Sequence, residues 1–342
     1  MPKQLSEKQS CNGTIHCPFM YIVVASVTAL AVAYGMIWFR SGVKLSGKHV
    51  IVTGGSEGLG YCLACAFCKK GCRVTIIART QSKLDQALSN LRELDLAAGG
   101  QAQALPADVT NFEQINDAVQ KAEASFGPCD IIICNAGATE PGRVEDLPVS
   151  VFHRIMTINY LGVVHSVKAV LPGMLQNRSG HISFVSSSMG LIGFAGYSAY
   201  APTKWAVRGL ADTLRNELQG SGVSVSIGFP ADMRGASYAQ EELIKPEECK
   251  AISRAVGSVY ESEQVAKKIV YGIERGRYLL PSPDVLQDWF LMDATASWSV
   301  RSLPLLVSSV LAPLIPLIMF VFTKFIDRIV RQHRQKRETM NS

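Results

Sequence analysis

The chain has 342 residues, of which 48% are hydrophobic and 18% are charged, and its formal net charge at pH 7 is +6. This length accommodates one α/β domain of about 240 residues with further segments at both ends. The positive charge is modest and flanks apolar segments instead of forming a basic stripe with interleaved aromatic residues, which argues against a nucleic-acid partner. Nine cysteines, an odd number, argue against a disulfide framework and favour a reducing compartment.

An uncharged segment near the amino terminus is long enough to cross a bilayer. Residues 15–39 carry no charged side chain, and about 20 helical residues span the hydrocarbon layer. We predict a tail over residues 1–17 and a transmembrane anchor over residues 18–40, with aromatic residues toward both ends of the anchor. A cleaved signal peptide is the competing interpretation, because Ala29-Leu30-Ala31 has the small-x-small pattern of a cleavage site.

A second uncharged segment, residues 302–323, lies near the carboxyl terminus and contains three prolines. Prolines bend helices, so the pattern fits a membrane-inserted, re-entrant or hairpin segment as well as a clean span. The basic tail over residues 324–342 suits an anionic cytoplasmic leaflet, and lysine and arginine are also denser after the first segment than before it. Both features place the central domain in the cytosol. Glycosylation of the sequon at Asn177 would contradict this orientation, whereas the sequon at Asn12 lies across the anchor.

Between these segments, residues 45–285 alternate β-branched apolar runs with amphipathic stretches, which is the pattern of a parallel sheet with helical crossovers. We predict a single domain with a Rossmann-type, doubly wound α/β fold that binds its ligands at the carboxyl ends of the strands. Residues 234–300 have the weakest pattern. The predicted strands are 49–54, 73–79, 102–108, 130–137, 181–187 and 224–230, and the predicted helices are 81–96, 112–126, 151–174 and 200–218.

A glycine-rich turn, with the spacing T-G-x-x-x-G-x-G from Thr53 to Gly60, follows the first predicted strand and precedes a helical run. Such glycines allow a tight turn and a close approach of the backbone to a pyrophosphate, which the helix N-terminus also attracts. Arg79, with Lys83 one turn later, stands where an NAD-selective protein carries an acid. Because guanidinium binds phosphate oxygens bidentately, we predict NADPH/NADP+ with Arg79 on its 2′-phosphate. The predicted cofactor-binding residues are Gly54, Ser56, Glu57, Gly58, Gly60, Arg79, Lys83, Asp108 near the adenine, Asn135 and Gly137 of an N-A-G turn, Tyr200 and Lys204.

Four cysteines, Cys62, Cys65, Cys68 and Cys72, reproduce the C-x2-C-x2-C-x3-C spacing of a ferredoxin cluster loop. The first three, however, fall on the helix predicted after the glycine-rich turn, where their spacing puts them along one packed face as small hydrophobic side chains. The fourth cysteine is followed by arginine, whereas the ferredoxin run continues with proline. We therefore expect no iron–sulfur cluster and no other metal.

A tyrosine and a lysine four residues apart, Tyr200 and Lys204, begin a predicted helix and therefore share one helix face. A ketone that accepts hydride develops alkoxide charge, which requires a hydroxyl donor and a nearby acid. Tyrosine has an ordinary pKa of about 10 and needs positive charge beside its phenolate, which Lys204 can supply. Serines 186–188, at the end of a predicted strand, can supply the hydroxyl.

This combination of glycine-rich turn, N-A-G turn, serine and Y-x-x-x-K over residues 45–274 resembles the short-chain dehydrogenase/reductase family. The resemblance implies a catalytic set of Tyr200, Lys204, a serine and Asn159, with the asparagine holding a water of a proton relay. The family spacing, thirteen residues before the tyrosine, favours Ser187, but its neighbour Ser186 is one step away. Side chains alternate faces along a strand, so only one of the two serines should point at the carbonyl.

Within that family, the chain is most similar to the 3-ketodihydrosphingosine reductases. The anchor, the Ala78-Arg79 step, the run AGYSAYAPTKWAVRGLADTLRNELQ and the apolar carboxyl-terminal segment with its basic tail carry this resemblance. It implies NADPH-dependent reduction of 3-ketosphinganine, a long-chain amphiphilic keto-lipid, to sphinganine in sphingolipid synthesis. It also implies a location in the endoplasmic reticulum membrane with the catalytic domain facing the cytosol, and members of the wider family often form homodimers.

Two alternatives stay open on the residues alone. One is a membrane-bound reductase of 3-ketoacyl-CoA, steroid or retinal, and the other is a non-catalytic lipid-binding or scaffolding protein with the same fold. The sequence ADMRGA at residues 231–236 also departs from the threonine-rich stretch that is usual after the preceding strand. No substrate-pocket residue is therefore predicted.

Overall fold

The computed structural model describes residues 43–94, 99–256, 258–284 and 315–341. Contacts divide the chain into two units, Met1–Arg40 and Ser41–Ser342, and all described residues belong to the second. The predicted tail and anchor lie outside the described residues, as does the first part of the predicted membrane segment at 302–323.

Seven parallel strands form the central sheet, and two further short strands pair with each other beside it. The order across the large sheet is β3-β2-β1-β4-β5-β6-β9, in which the chain moves outward from β1 in both directions. This is the doubly wound arrangement, whose ligand crevice opens at the carboxyl ends of β1 and β4. The strands are β1 (His49–Thr53), β2 (Arg73–Ala78), β3 (Gln101–Pro106), β4 (Ile131–Cys134), β5 (Gly180–Val185), β6 (Val223–Gly228), β7 (Met233–Arg234), β8 (Tyr260–Glu261) and β9 (Leu279–Leu280).

Helices cover both faces of the sheet, and a separate hydrophobic core lies under each set. One core joins β1 to α1, α2 and α9, and the other joins β1 to α3, α5 and α6. Strands buried on both faces require apolar side chains at successive positions, which explains the continuous apolar runs in the sequence. The helices are α1 (Gly58–Lys69), α2 (Gln81–Arg92), α3 (Phe112–Phe126), α4 (Val149–Met156), α5 (Gly162–Gln176), α6 (Ala201–Glu217), α7 (Ala236–Ile244), α8 (Glu247–Val256), α9 (Ser262–Glu274) and α10 (Ile315–Asn341).

The structure confirms the predicted Rossmann-type sheet and contains a strand within or overlapping each of the six predicted ranges. The predicted helix at 151–174 begins at Val149 and is interrupted by a π-helical segment, Thr157–Leu161, between α4 and α5. The helix predicted over 81–96 ends at Arg92. In the part of the weakly patterned region 234–300 that the structure describes, the strands have only two residues each, too few for an alternation to be detected.

Within the described residues, one helix is long and apolar enough to cross a bilayer, the continuous stretch Val149–Gln176. Its residues Val163, Val167 and Val170 are buried in the core against the sheet, so it is a central helix of this domain. α10 begins inside the apolar segment predicted at 302–323 and continues without a break through the basic tail.

The four cysteines of the ferredoxin-like spacing lie in and beside the core around α1. Cys62 and Cys65 are half-buried, whereas Cys68 and Cys72 are buried. The Cys72 thiol donates a hydrogen bond to the Leu45 carbonyl oxygen at 3.2 Å, and burial raises the pKa of both Cys68 and Cys72 to about 12. These thiols are held protonated and pack as small hydrophobic groups.

Candidate active site

The glycine-rich turn passes from β1 into α1 and leaves the start of that helix open. Gly54 and Gly58 have positive φ angles of 65° and 56°, which glycine adopts without strain. A Cβ on Gly60 would lie 2.1 Å from the Gly54 carbonyl oxygen, so the helix packs directly on the turn. The Glu57 side chain does not cap α1, and no described heavy atom lies within 4 Å of a Cβ placed on Gly58. Open backbone donors at a helix N-terminus suit a pyrophosphate.

The N-A-G turn after β4 is fastened to the glycine-rich turn by Thr53, which is not among the predicted cofactor-binding residues. Its hydroxyl accepts hydrogen bonds from the backbone N–H groups of Asn135 and Ala136, at 3.1 and 3.2 Å. The Asn135 amide donates in return to the carbonyl oxygens of Thr53 and Gly54, at 3.1 and 3.3 Å. Asn135 therefore positions the two turns against each other, and a cofactor contact of its side chain stays a prediction.

The residues predicted to select the cofactor lie at the ends of β2 and β3. Arg79 is exposed immediately after β2, and Lys83 forms a 2.8 Å ion pair with Glu57 of the glycine-rich turn. Both partners of that pair are more than half exposed, so each can turn toward another charge. One carboxylate oxygen of Asp108 accepts hydrogen bonds from the backbone N–H and the hydroxyl of Thr110, at 2.9 and 2.8 Å. The loop after β3 is thereby held in a turn.

Tyr200 and Lys204 lie together at the start of α6, where Lys204 is buried and Tyr200 is half-buried. The Lys204 ammonium is 5.5 Å from the centre of the Tyr200 ring and donates to the Val185 carbonyl oxygen at 3.2 Å. Burial lowers the pKa of Lys204 to about 8. Burial also raises the pKa of Tyr200, and a hydrogen bond with Ser187 opposes that rise. The phenol is therefore protonated near neutral pH, which is the state needed to donate a proton.

The two candidate serines occupy different environments because side chains alternate along the end of β5. The Ser186 hydroxyl is buried and donates to the Lys204 carbonyl oxygen at 3.0 Å. The Ser187 hydroxyl instead forms a hydrogen bond with the Tyr200 phenol and accepts from the Met189 N–H at 3.2 Å. Of the two serines, the structure brings Ser187 to the tyrosine and leaves Ser186 bonded to the backbone of α6.

Asn159 lies in the π-helical segment, a distortion that often occurs at functional sites. Its amide accepts from the Ala138 N–H at 2.8 Å and donates to the Ala138 carbonyl oxygen at 2.9 Å. It also donates to the Thr203 hydroxyl at 3.0 Å, which in turn donates to the Tyr200 carbonyl oxygen at 2.7 Å. The side chain thus ties the loop after β4 to α6, and the predicted water relay stays a prediction.

A buried ionic cluster covers the loop before Tyr200 and was not predicted. The Tyr197 hydroxyl donates to Glu241 of α7 at 2.5 Å, and the rings of Tyr197 and Tyr200 are 5.9 Å apart. Lys245, whose side chain is fully buried, pairs with Glu241 at 3.1 Å and with Glu242 at 2.6 Å. These contacts hold α7 against the catalytic loop. The Lys245 ion pairs are local to the end of α7, but their link to the loop before Tyr200 could not be found in the sequence because Tyr197 and Glu241 are 44 residues apart.

Other residues add to the contacts that cover the loop before Tyr200. Asp232, within the unusual stretch at 231–236, lies 4.0 Å from the Lys245 ammonium. Cys249 of α8 packs in an apolar cluster with Tyr197, and Glu248 forms a 2.5 Å ion pair with Arg143 from the loop after β4. Both α7 and α8 are thereby anchored to loops at the carboxyl edge of the sheet.

The buried Thr139 hydroxyl has no hydrogen-bond partner among the described residues, and it lies in the loop directly after the N-A-G turn. A polar atom left unpaired in the interior costs free energy unless a ligand or water satisfies it. Together with the open start of α1, this orphaned hydroxyl fits a crevice that accepts a polar ligand. The arrangement can bind a dinucleotide along the carboxyl edge and donate a proton from Tyr200.

Comparison with known proteins agrees with this geometry. A family profile described as short chain dehydrogenase matches residues 48–243. The chain is 38% identical over 237 residues to the 3-ketodihydrosphingosine reductase of Bos taurus, covering 69% of this chain and 71% of that protein. It is 37% identical to the 3-dehydrosphinganine reductase of Danio rerio with the same coverage. The 3-ketodihydrosphingosine reductase of Dictyostelium discoideum is 34% identical over 270 residues, 75% of this chain and 80% of that protein. The chain therefore belongs to the short-chain dehydrogenase family.

Proposed function

We propose that this protein is an oxidoreductase that reduces the keto group of 3-ketosphinganine to give sphinganine in sphingolipid synthesis, with NADPH as the hydride donor. The observation that carries the proposal is the half-buried Tyr200 phenol, with Ser187 hydrogen-bonded to it and the Lys204 ammonium beside it. The choice of 3-ketosphinganine as the substrate is supported by the similar proteins that are named for this reaction.

The residues divide the reaction between them. The short-chain dehydrogenase family uses nicotinamide dinucleotides, whose reduced ring supplies a hydride to the carbonyl carbon. Ser187 and Tyr200 donate hydrogen bonds to the carbonyl oxygen, and Tyr200 transfers its proton to that oxygen as negative charge develops. Lys204 stabilises the phenolate that remains. One hydride and one proton thus convert the ketone into a secondary alcohol.

The proposed preference of the protein for NADPH over NADH rests on Arg79 and Lys83. Arg79 is exposed at the end of β2, and Lys83 is already close to the glycine-rich turn through its ion pair with Glu57. Two cations beside a ribose favour a 2′-phosphate. Gly54, Gly58 and Gly60 shape the turn for the pyrophosphate, and Ser56 lies on the same turn.

We further propose that the protein is held in the endoplasmic reticulum membrane, with its catalytic domain facing the cytosol. The uncharged residues 15–39 and the basic residues that follow them support this topology. A substrate with a long alkyl chain partitions into the bilayer, so attachment of the enzyme brings it to its substrate. Pairing of two copies is a further proposal.

Microsomes that express the full chain test this function directly. NADPH oxidation is measured with 3-ketosphinganine, a 3-ketoacyl-CoA and retinal as separate substrates. We expect turnover with 3-ketosphinganine and its loss by at least about 100-fold in Tyr200→Phe, because the proton donor is removed. Preferential turnover of another ketone would favour a different membrane-bound reductase. No turnover by the wild type would favour a non-catalytic lipid-binding or scaffolding protein.

A further inference from the structure

The amino-terminal half of α10 presents a concentrated apolar surface to solvent. In the described part of the chain, fourteen large hydrophobic side chains are exposed, and five of them lie on this half-helix with exposed fractions of 44% to 61%. Isolated exposed apolar residues are ordinary, whereas a cluster of this kind marks an interaction surface. The five are Leu317, Ile318, Phe320, Val321 and Phe325.

The part of the same helix from Lys324 onward, called the basic half below, carries an excess of positive charge and overlaps the apolar half at Phe325. From Lys324 to the end of the helix there are six lysine and arginine residues and two acidic residues, so the net charge of this segment is +4 when the histidine is neutral. Asp327 and Glu338 are each within 4 Å of an arginine one turn later or earlier, so the remaining cations are in excess. Apolar side chains followed by excess basic side chains complement the hydrocarbon and the anionic headgroups of a lipid surface.

The dimensions of the apolar half also fit a single lipid leaflet. The eight steps from Leu317 to Phe325 extend about 12 Å along the helix, and one leaflet of hydrocarbon is about 15 Å deep. The sequence before α10 has no charged residue from Ser302 onward. The apolar character therefore extends beyond the amino-terminal end of the helix, on the side away from the basic residues.

The other face of α10 contacts the elements that cover the catalytic residues. Phe322 packs against Phe194 with ring centres 6.2 Å apart, and Arg337 lies 3.6 Å from Glu145. Phe194 and Tyr200 both pack against the apolar cluster that contains Tyr197 and Cys249 of α8. A continuous chain of side-chain contacts thus leads from the exposed apolar helix to the catalytic tyrosine.

We propose that α10 is a lipid-contact helix that sets the Phe194 side of the catalytic site against an anionic bilayer, so that a long-chain substrate enters directly from the membrane. The amino-terminal half of α10 contacts acyl chains, and its basic half contacts headgroups. Because Phe322 packs against Phe194, the proposed route of the substrate into the catalytic site begins at the depth of the leaflet. The identity of the substrate rests on the proposed function, whereas contact with lipid does not.

Photo-crosslinking of the full chain tests the lipid contact without any activity measurement. A photoreactive amino acid replaces Val321 or, as the control on the same helix, Gln332, in protein reconstituted into vesicles of phosphatidylcholine with or without phosphatidylserine. We expect phospholipid adducts at position 321 that exceed those at position 332 by about tenfold, with higher yield in the anionic vesicles. Adducts only with a second copy of the chain or another protein, or equal yields at both positions, would overturn the proposal.

A kinetic comparison tests substrate entry separately. Val321→Glu introduces a charge into the apolar half, and Gln332→Glu introduces the same charge into the basic half. We expect Val321→Glu to raise the KM for vesicle-borne 3-ketosphinganine by about tenfold with kcat unchanged, and to leave turnover of a short, water-soluble ketone unchanged. Gln332→Glu should change the KM by less than about twofold. Equal loss on both ketones, or no change on either, contradicts entry along α10. An inactive wild type that still gives lipid adducts refutes only the proposed function.

Discussion

Lys204 provides a test in which catalytic activity and protein stability respond to pH in opposite directions. Burial lowers its pKa from 10.5 to about 8. As the pH rises through about 8, the folded protein loses the ammonium charge beside Tyr200, and the phenolate loses its stabilisation. We therefore expect kcat/KM for reduction to fall above about pH 8, well before an ordinary lysine would deprotonate.

The stability effect has the opposite sign. In the unfolded chain the lysine remains protonated up to about pH 10.5, so between about pH 8 and 10.5 the unfolded state binds more protons than the folded state. The contribution of Lys204 to the free energy of unfolding therefore rises over that window. The difference between the two pKa values corresponds to about 3 kcal/mol, and the 5% exposure of the residue leaves little solvent screening.

Buried thiols act against this rise at higher pH. Burial raises the pKa of Cys68, Cys72 and Cys134 to about 12 from an ordinary value near 9. Above pH 9 the unfolded thiols ionise while the folded ones do not, so their contribution to stability falls. A comparison of two variants with the same cysteines removes this effect and isolates the lysine.

The assay is urea unfolding of the full chain in detergent, from about pH 7 to about pH 10.5, for the wild type and Lys204→Met. Methionine is uncharged and of similar length, so it removes the titration and retains most of the packing. We expect Lys204→Met to be relatively more stable at pH 7 and to lose about 3 kcal/mol of that relative advantage by pH 10.5. Lys121→Met, at an exposed site of α3, is the control and should follow the wild type. A constant difference between Lys204→Met and the wild type would refute the reasoning.

Three further pairs of substitutions test other parts of the protein. Ser187→Ala is expected to lower kcat by at least about 100-fold, because a hydrogen bond to Tyr200 and to the substrate carbonyl is lost. Ser186→Ala should lower the free energy of unfolding in urea by about 1 kcal/mol and leave kcat nearly unchanged. The reverse result would exchange the roles of the two serines. Arg79→Ala should reduce the preference for NADPH over NADH by roughly 10-fold to 150-fold in steady-state kinetics. Glu57→Gln should tighten NADPH binding about threefold, because Lys83 loses its ion-pair partner and is free to bind the cofactor. An unchanged preference in Arg79→Ala would mean that Arg79 does not bind the cofactor. Tyr197→Phe leaves Glu241 without its hydroxyl donor and should lower the free energy of unfolding in urea by about 1 to 3 kcal/mol. Tyr271→Phe, at an exposed position of α9, is the control and should leave the free energy of unfolding almost unchanged. Equal losses in the two variants would mean that the Tyr197 hydroxyl does not hold α7 in place.

The sequence alone determined the fold and the pairing of the tyrosine and lysine that are proposed to be catalytic. Apolar runs bounded by turns predict parallel strands, and the glycine spacing after β1 identifies the start of α1, because both depend on residues close together in the chain. Tyr200 and Lys204 share a face for the same reason, since a four-residue spacing is local to one helix. Strand alternation also predicts that only one of the two serines should point at the carbonyl.

Only the tertiary structure showed which of the two serines contacts Tyr200, because that contact depends on where β5 ends relative to α6. The Asn159 link to Ala138, the Tyr197 contact with Glu241 and the packing of Phe322 on Phe194 join residues that are 21, 44 and more than a hundred positions apart. No local period encodes such contacts. Burial, which sets the pKa of Lys204, is likewise a property of the assembled core, so the sequence specified the chemical groups of the site and the fold determined their protonation.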